Sequence, residues 1–183
     1  MWLLRPPETG CFDKDQRRAV EVLFDAVLPG GPRRPGAADA DAAEYIDRLL
    51  AMGPETHPEI PSWRLAYPVL LAALDTAAQQ AHGGRGVAEL DRAEATALLL
   101  DLAAGTLPDW PTAALAQPAA FALLRAHCIE GCFGDPRWGG NREAVIWRWY
   151  GYLTPAEPFT RPTTATPFTR PTTATADRPG EDS

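Results

Sequence analysis

Up to Leu153 the apolar residues of this chain recur with the roughly 3.6-residue period of an α-helix, and pairs of glycine and proline cut the recurrence into short runs. An apolar stripe on one helical face has to be buried against another element, so a chain of such runs folds as helices packed on helices. Asp13 is placed to cap a first helix running to about Leu28, in which Val20, Leu23, Phe24 and Val27 fall at i, i+3, i+4 and i+7; Pro29-Gly30-Gly31-Pro32 stops it. Asp39 is expected to start a second helix carrying Ala42, Tyr45, Ile46 and Leu49, closed by Gly53-Pro54. Residues 62–82 read as helix with Pro68 inside, so either Trp63 to Tyr67 form a separate turn and Pro68 opens the main helix, or the helix kinks there. Gly83-Gly84 closes it. Asp91 and Glu94 stand like a capping box before a helix to Ala104, with Gly105 as its C-terminal cap. Pro118 can open a helix to about Phe133, and Asn141 can cap a last one through about Tyr150. No stretch alternates with period two for the length of a strand. The expected fold class is all-α, an irregular bundle of about six helices.

Beyond that bundle the composition changes. The segment 154–183 is rich in proline and threonine, and PFTRPTTAT occurs twice in tandem, at 158–166 and 167–175. With so few apolar residues it cannot offset its ordering entropy, and a disordered tail of extended, polyproline-like geometry is expected. The organisation is thus an N-terminal extension (1–12), a helical domain (13–153) and a Pro/Thr-rich tail (154–183). The formal net charge is −7 and Lys14 is the only lysine. With no basic cluster, nucleic acid and anionic membrane surfaces are not expected partners. The three cysteines, Cys11, Cys128 and Cys132, are odd in number and imply no disulfide framework. No apolar run reaches the length of a membrane span. The N-terminal residues lack the zones of a signal peptide, and Glu21 and Asp25 interrupt the apolar run that a twin-arginine signal at Arg17-Arg18 would need. That arginine pair is read as the solvated face of a helix; the chain as encoded points to the cytoplasm, and the compartment stays open.

The residues that could carry chemistry are few. His127, Cys128 and Cys132 have helical spacing, and the two cysteines lie one turn apart, so an independent metal-binding protein using these three side chains is one reading. Phe121, Leu124, Cys128 and Cys132 also form one apolar stripe, however, and a closed zinc site needs four ligands; core packing is the favoured reading. His57 lies in a proline-rich loop and His82 at a helix end, and neither belongs to a nucleophile motif. No dinucleotide-binding or phosphate-binding glycine motif occurs, and Gly83-Gly84-Arg85-Gly86 reads as a connector. No catalytic, cofactor-binding or metal-binding residue is therefore assigned to this chain.

The segment from Gly131 to Tyr150 is the most distinctive. Asp135-Pro136 enforces a turn, Gly139-Gly140 allows backbone angles or close approaches that other residues resist, and Asn141 can leave the turn and cap the last helix. In that helix Val145 and Trp149 share one face, Ile146 and Tyr150 the next, and Trp147 lies further round, an apolar arc of roughly 200° against the about 100° of a helix packed on one side. Either the helix threads its own core, or it packs the core with one face and a partner with the other.

The run HCIEGCFGDPRWGGNREAVIWRWYGY resembles the C-terminal signature of the gluconate 2-dehydrogenase subunit 3 family: a helix ending in Gly and Phe, an Asp-Pro pair, an aromatic, Gly-Gly-Asn, and a later Trp. The matching positions are Gly131, Phe133, Asp135, Pro136, Trp138, Gly139, Gly140, Asn141 and Trp147, with Trp138 where tyrosine is more usual. An amphipathic helix ending at Leu28-Pro29, a Pro-Gly-Ala element at Pro35 to Ala37, and Tyr45-Ile46-Asp47 extend the resemblance over roughly residues 12–152. It implies a non-catalytic small subunit that binds and stabilises the FAD-containing, glucose–methanol–choline-type subunit of a sugar, sugar-acid or polyol dehydrogenase, with a cytochrome c subunit often taking the electrons. Family members often supply the export signal of the complex to the periplasm, which is not found here. The residues the resemblance assigns to the partner interface are Asp135, Pro136, Trp138, Gly139, Gly140, Asn141, Trp147 and Trp149.

Overall fold

Asp13 accepts the Gln16 amide at 2.8 Å while the Gln16 side chain accepts the Asp13 amide at 3.1 Å, so the first helix opens with two of its free donors satisfied. Asp91 and Glu94 repeat the arrangement, both bonds at 2.9 Å, and Gly105, at φ 75°, closes that helix in the left-handed region. The computed structural model describes residues 10–111 and 115–152. These form seven α-helices: α1 Lys14–Val27, α2 Ala37–Ala40, α3 Ala42–Ala51, α4 Ile60–Ala81, α5 Arg92–Ala104, α6 Gln117–Phe133 and α7 Val145–Trp149. Three single 3-10 turns, Val87–Glu89, Pro136–Trp138 and Arg142–Ala144, connect them. There is no strand among the described residues, only an isolated bridge between Gly31 and Arg34. The all-α expectation is met. The expected disordered tail, 154–183, lies outside the described residues.

α6 is the axis of the bundle, packed against α3 and α5, with α1 laid on α5. Phe24, Leu23, Ile46, Leu50, Tyr67, Leu70, Leu74, Leu102 and Leu124 are fully buried between them, each large aliphatic side chain contributing about 1.5–3 kcal/mol of transfer free energy. The close approach of α6 to α3 needs Gly131, where a Cβ would stand 2.7 Å from the carbonyl oxygen of Ala42.

Two local readings are corrected, and at Pro68 the separate-turn alternative is ruled out. The helix expected from Asp39 is two helices, broken at Asp41, which has φ 51°; Asp39 instead accepts the Gly36 amide at 2.8 Å and caps the short α2. α4 runs unbroken through Pro68, which sits on the exposed side, where the carbonyl that loses its partner can meet water. The Arg17-Arg18 pair is not one solvated face: Arg18 is exposed, but Arg17 turns inward. Its guanidinium bonds Glu21 at 3.2 Å, Asp41 at 2.8 Å, Glu44 at 2.5 Å and Asp47 at 3.3 Å, joining α1 to the α2–α3 break and to α3. Asp47 also accepts the amides of Cys11 and Phe12 at 2.6 and 2.7 Å, tying the start of the described chain to the same knot. Asp41 escapes the helix because its carboxylate is held here, with Arg142 at 3.4 Å on its other oxygen.

Candidate functional site

The end of α6 and the turns after it carry the residues singled out from the sequence. Asp135 caps the 3-10 turn Pro136–Trp138 by accepting the Arg137 amide at 3.0 Å, and its carboxylate also pairs with the Arg137 guanidinium. That pairing holds the Asp135 carboxyl below its usual range. Gly139 follows with φ 106°, and Gly140 lies so close to α6 that a Cβ would come within 2.2 Å of the Gly131 carbonyl oxygen. Backbone rests on backbone here, from Ala42 through Gly131 to Gly140.

Asn141 is the pin of the turn. It is fully buried, at φ 45°. Its amide nitrogen donates to the Gly134 carbonyl at 3.1 Å, at the end of α6, and its amide oxygen accepts the Ile146 N–H at 3.0 Å, in the first turn of α7. One side chain thus closes the C-terminus of one helix and caps the N-terminus of the next. The helix expected to start at Asn141 begins only at Val145, because Glu143 and Ala144 adopt left-handed angles, φ 54° and 56°. Such conformations cost about 1 kcal/mol each in a non-glycine residue and persist where surrounding bonds hold them.

The consequence is a short α7 set at a fixed angle to α6. Ile146 faces the core and Val145 and Trp147 are half-buried, whereas Trp149 is 50% exposed and Tyr150 65%. Trp147 donates its indole N–H to the Phe133 carbonyl at 2.8 Å, and Trp149 donates to the Arg33 carbonyl in the α1–α2 connection at 2.8 Å. Both indoles are therefore anchored through their N–H groups, and the Trp149 ring stays half exposed. Tyr150 contacts Trp149 edge-on at 4.7 Å and Phe133 at 5.9 Å between centroids, and Tyr152 contacts Trp147 at 5.2 Å. Phe133, Trp147, Tyr150, Gly151 and Tyr152 line an open cleft. Of the wide apolar arc expected in the last helix, one side is in the core and the other is a preformed aromatic surface.

Of the residues expected at a partner interface, Gly140 and Asn141 are buried, Asp135, Pro136, Trp138, Gly139 and Trp147 are half-buried, and Trp149 is exposed. Trp138 faces away from the cleft, into a separate pocket with Tyr45 and Glu130. Phe133, Tyr150 and Tyr152 join the surface although the interface reading of the sequence left them out; the 3.6-residue period already set Tyr150 on the same face as Ile146, but Tyr152 lies past the helix end and has no periodic signal.

His127 does not converge with Cys128 and Cys132. His127 is 1% exposed and its Nδ1 shares a 2.9 Å hydrogen bond with the Tyr67 hydroxyl, with Trp63 edge-on at 4.6 Å. Burial, with a smaller contribution from His57, pushes its pKa down to about 4, so the ring is neutral. Cys128 points elsewhere, toward the Phe24 carbonyl of α1 at 3.6 Å, and both cysteines are wholly buried in the core. The hydrogen bond with Cys132, and burial after it, push the Cys128 thiol well up. Among the described residues no three His, Cys, Asp or Glu side chains are grouped to hold a metal ion, and no helix is long and apolar enough to cross a membrane.

The sequence pattern of the family described as gluconate 2-dehydrogenase subunit 3 matches residues 14–154, from the start of α1 to just past the aromatic surface. No curated protein matches the chain, and no solved structure does.

Proposed function

This chain belongs to the gluconate 2-dehydrogenase subunit 3 family, and from that membership we propose that it is the non-catalytic small subunit of a dehydrogenase complex, binding and stabilising a larger, FAD-containing subunit of the glucose–methanol–choline type. The catalytic groups and the flavin belong to that partner, which oxidises a CH–OH group of a sugar, sugar acid or polyol; in such complexes a cytochrome c subunit often takes the electrons. The present chain contributes surface. The observation that carries the reading is the aromatic face of Phe133, Trp149, Tyr150 and Tyr152, exposed yet fixed in place. Exposed contiguous aromatics of this kind mark sites that another protein covers, and rigid aromatics lose little entropy when covered.

The buried members of the segment have a different part. Gly139 and Gly140 let the turn lie on α3 and α6, Asp135 and Pro136 start it, and Asn141 fixes the angle of α7. They shape the interface from behind while Trp149 and its neighbours make the contact. Expression of the proposed flavoprotein partner with and without this chain tests the proposal: soluble, active flavoprotein is expected to depend on its presence. Equal yield and activity of the flavoprotein in its absence would refute it.

A further inference from the structure

A second concavity lies between α3, the connection from α3 to α4, the start of α4 and Glu130 of α6. Tyr45, Trp63 and Trp138 line it with His57, and Leu49 and Met52 form its floor. Glu130 of α6 stands at its wall and accepts the Tyr45 hydroxyl at 3.1 Å. Burial, then the neighbouring carboxylate, push the Tyr45 phenol up, so it remains a hydrogen-bond donor. Trp63 is held between His57, stacked at 4.7 Å, and His127, edge-on at 4.6 Å, which fixes the orientation of its ring. Thr56 lines the same pocket, and its hydroxyl, shut off from solvent, has no hydrogen-bond partner among the described residues.

We propose that this pocket binds an N–H-bearing organic cation, the guanidinium or ammonium of an arginine or lysine side chain presented by the protein that covers the neighbouring aromatic face. Three aromatic rings and one carboxylate around a small cavity attract a cation through the ring quadrupoles and the full charge together. A chain of net charge −7 favours that sign over an anion. The unpartnered Thr56 hydroxyl selects a cation with N–H groups over a quaternary one, because only the former supplies the missing hydrogen bond. The source follows from position: Glu130 lies one turn of α6 before Phe133, so the pocket borders the aromatic face, and a basic side chain from a protein seated there can reach it. This assignment rests on the partner-binding reading and gives it a chemical specificity.

Titration of the full chain with N-acetyl-arginine amide, followed by tryptophan fluorescence, tests the pocket, with N-acetyl-citrulline amide as the uncharged counterpart. Saturable binding on the order of millimolar is expected for the arginine probe, and none at that level for citrulline. Glu130→Gln, a change at an exposed position, should weaken the arginine probe about fivefold. Thr56→Val should also weaken it while leaving thermal stability equal or higher, since it removes a buried hydroxyl that has no partner. Equal binding of the two probes, or an unchanged affinity in Glu130→Gln, overturns the cation assignment. Capture of the flavoprotein by the Glu130→Gln chain then separates the two levels. Reduced capture supports a partner side chain as the occupant. Undiminished capture by this variant, alongside loss of capture when the aromatic face is altered, overturns that assignment and leaves the partner-binding reading standing.

Discussion

Replacing Asn141 by alanine removes both bonds that join α6 to α7, and the loss can be worked out group by group. The Ile146 amide is buried and has the Asn141 oxygen as its partner; leaving it unmet costs about 2 kcal/mol. The Gly134 carbonyl loses a donor at a position that water can partly reach, about 1 kcal/mol. Position 141 has φ 45°, which asparagine tolerates and alanine resists by about 1 kcal/mol. The total is about 4 kcal/mol, a large part of the stability of a domain this size, and at about 3 °C per kcal/mol it lowers Tm by about 12 °C. Thermal unfolding followed by tryptophan fluorescence and by far-ultraviolet circular dichroism is the assay. Asn141→Asp sharpens it: the acid form keeps both a donor and an acceptor, but the carboxylate would be buried. The folded pKa of that new group lies above its unfolded value, so the variant should be weak at neutral pH and regain stability as pH falls through the raised folded value, the recovery being complete by about pH 4. A Tm drop of less than about 3 °C for Asn141→Ala, or the same deficit for Asn141→Asp at pH 4 and pH 7, would show that the Asn141 bonds do not hold the turn.

Arg17→Met should cost about 2–3 kcal/mol, measured by urea unfolding, because it leaves Asp41, Glu44 and Asp47 close together without their shared cation. Burial alone would raise Glu44, but the bonds from Arg17 and Arg48 outweigh it and hold the folded pKa down; this stability is present above about pH 4 and lost as pH falls further, so the acid limb of the wild-type curve should flatten in the variant. His127 gives a second limb. Its folded pKa, down to about 4 through burial, lies below the unfolded value, so the unfolded chain takes up the proton first. Stability should fall by about 3 kcal/mol between about pH 6.5 and pH 4, and His127→Gln should remove that fall. In the native protein a thiol reagent should reach the exposed Cys11, slowed by the burial that raises its thiol, and Cys128 and Cys132 only on unfolding, since the latter pair is buried; reaction of all three in the native protein would contradict the packing described.

The parts of the fold that were legible in sequence are those where cause and effect lie within one helical turn. Asp13, Asp91 with Glu94, Gly105 and Pro118 each act on backbone groups next to them, and their helices begin and end where those residues say. The break at Asp41 carries no glycine or proline; it is imposed by Arg17, 24 residues earlier, and a bond of that separation leaves no periodic trace. The same reason hid Arg17 itself, which reads as one of two surface arginines until α3 is folded against α1. In the segment after α6 the residue types marked a tight turn, and the division of labour among them was not legible. Glycine and asparagine there can serve a backbone approach or a partner equally well in sequence, and only the 2.2 Å clearance at Gly140 and the two bonds of Asn141 assign them to internal support. The cation pocket was out of reach because its walls come from α3, α4, α6 and two connections.

The partner-binding account stands or falls on the aromatic face. Trp149→Ser combined with Tyr150→Ser changes two exposed rings and no core residue. Capture of the purified flavoprotein subunit by this chain, measured by surface plasmon resonance for the wild type and the double variant, is the decisive comparison. Wild-type capture with a loss of at least about tenfold in the folded double variant, about 1.4 kcal/mol, is the predicted result. Equal affinity of the two chains, with the double variant as thermally stable as the wild type, would contradict it.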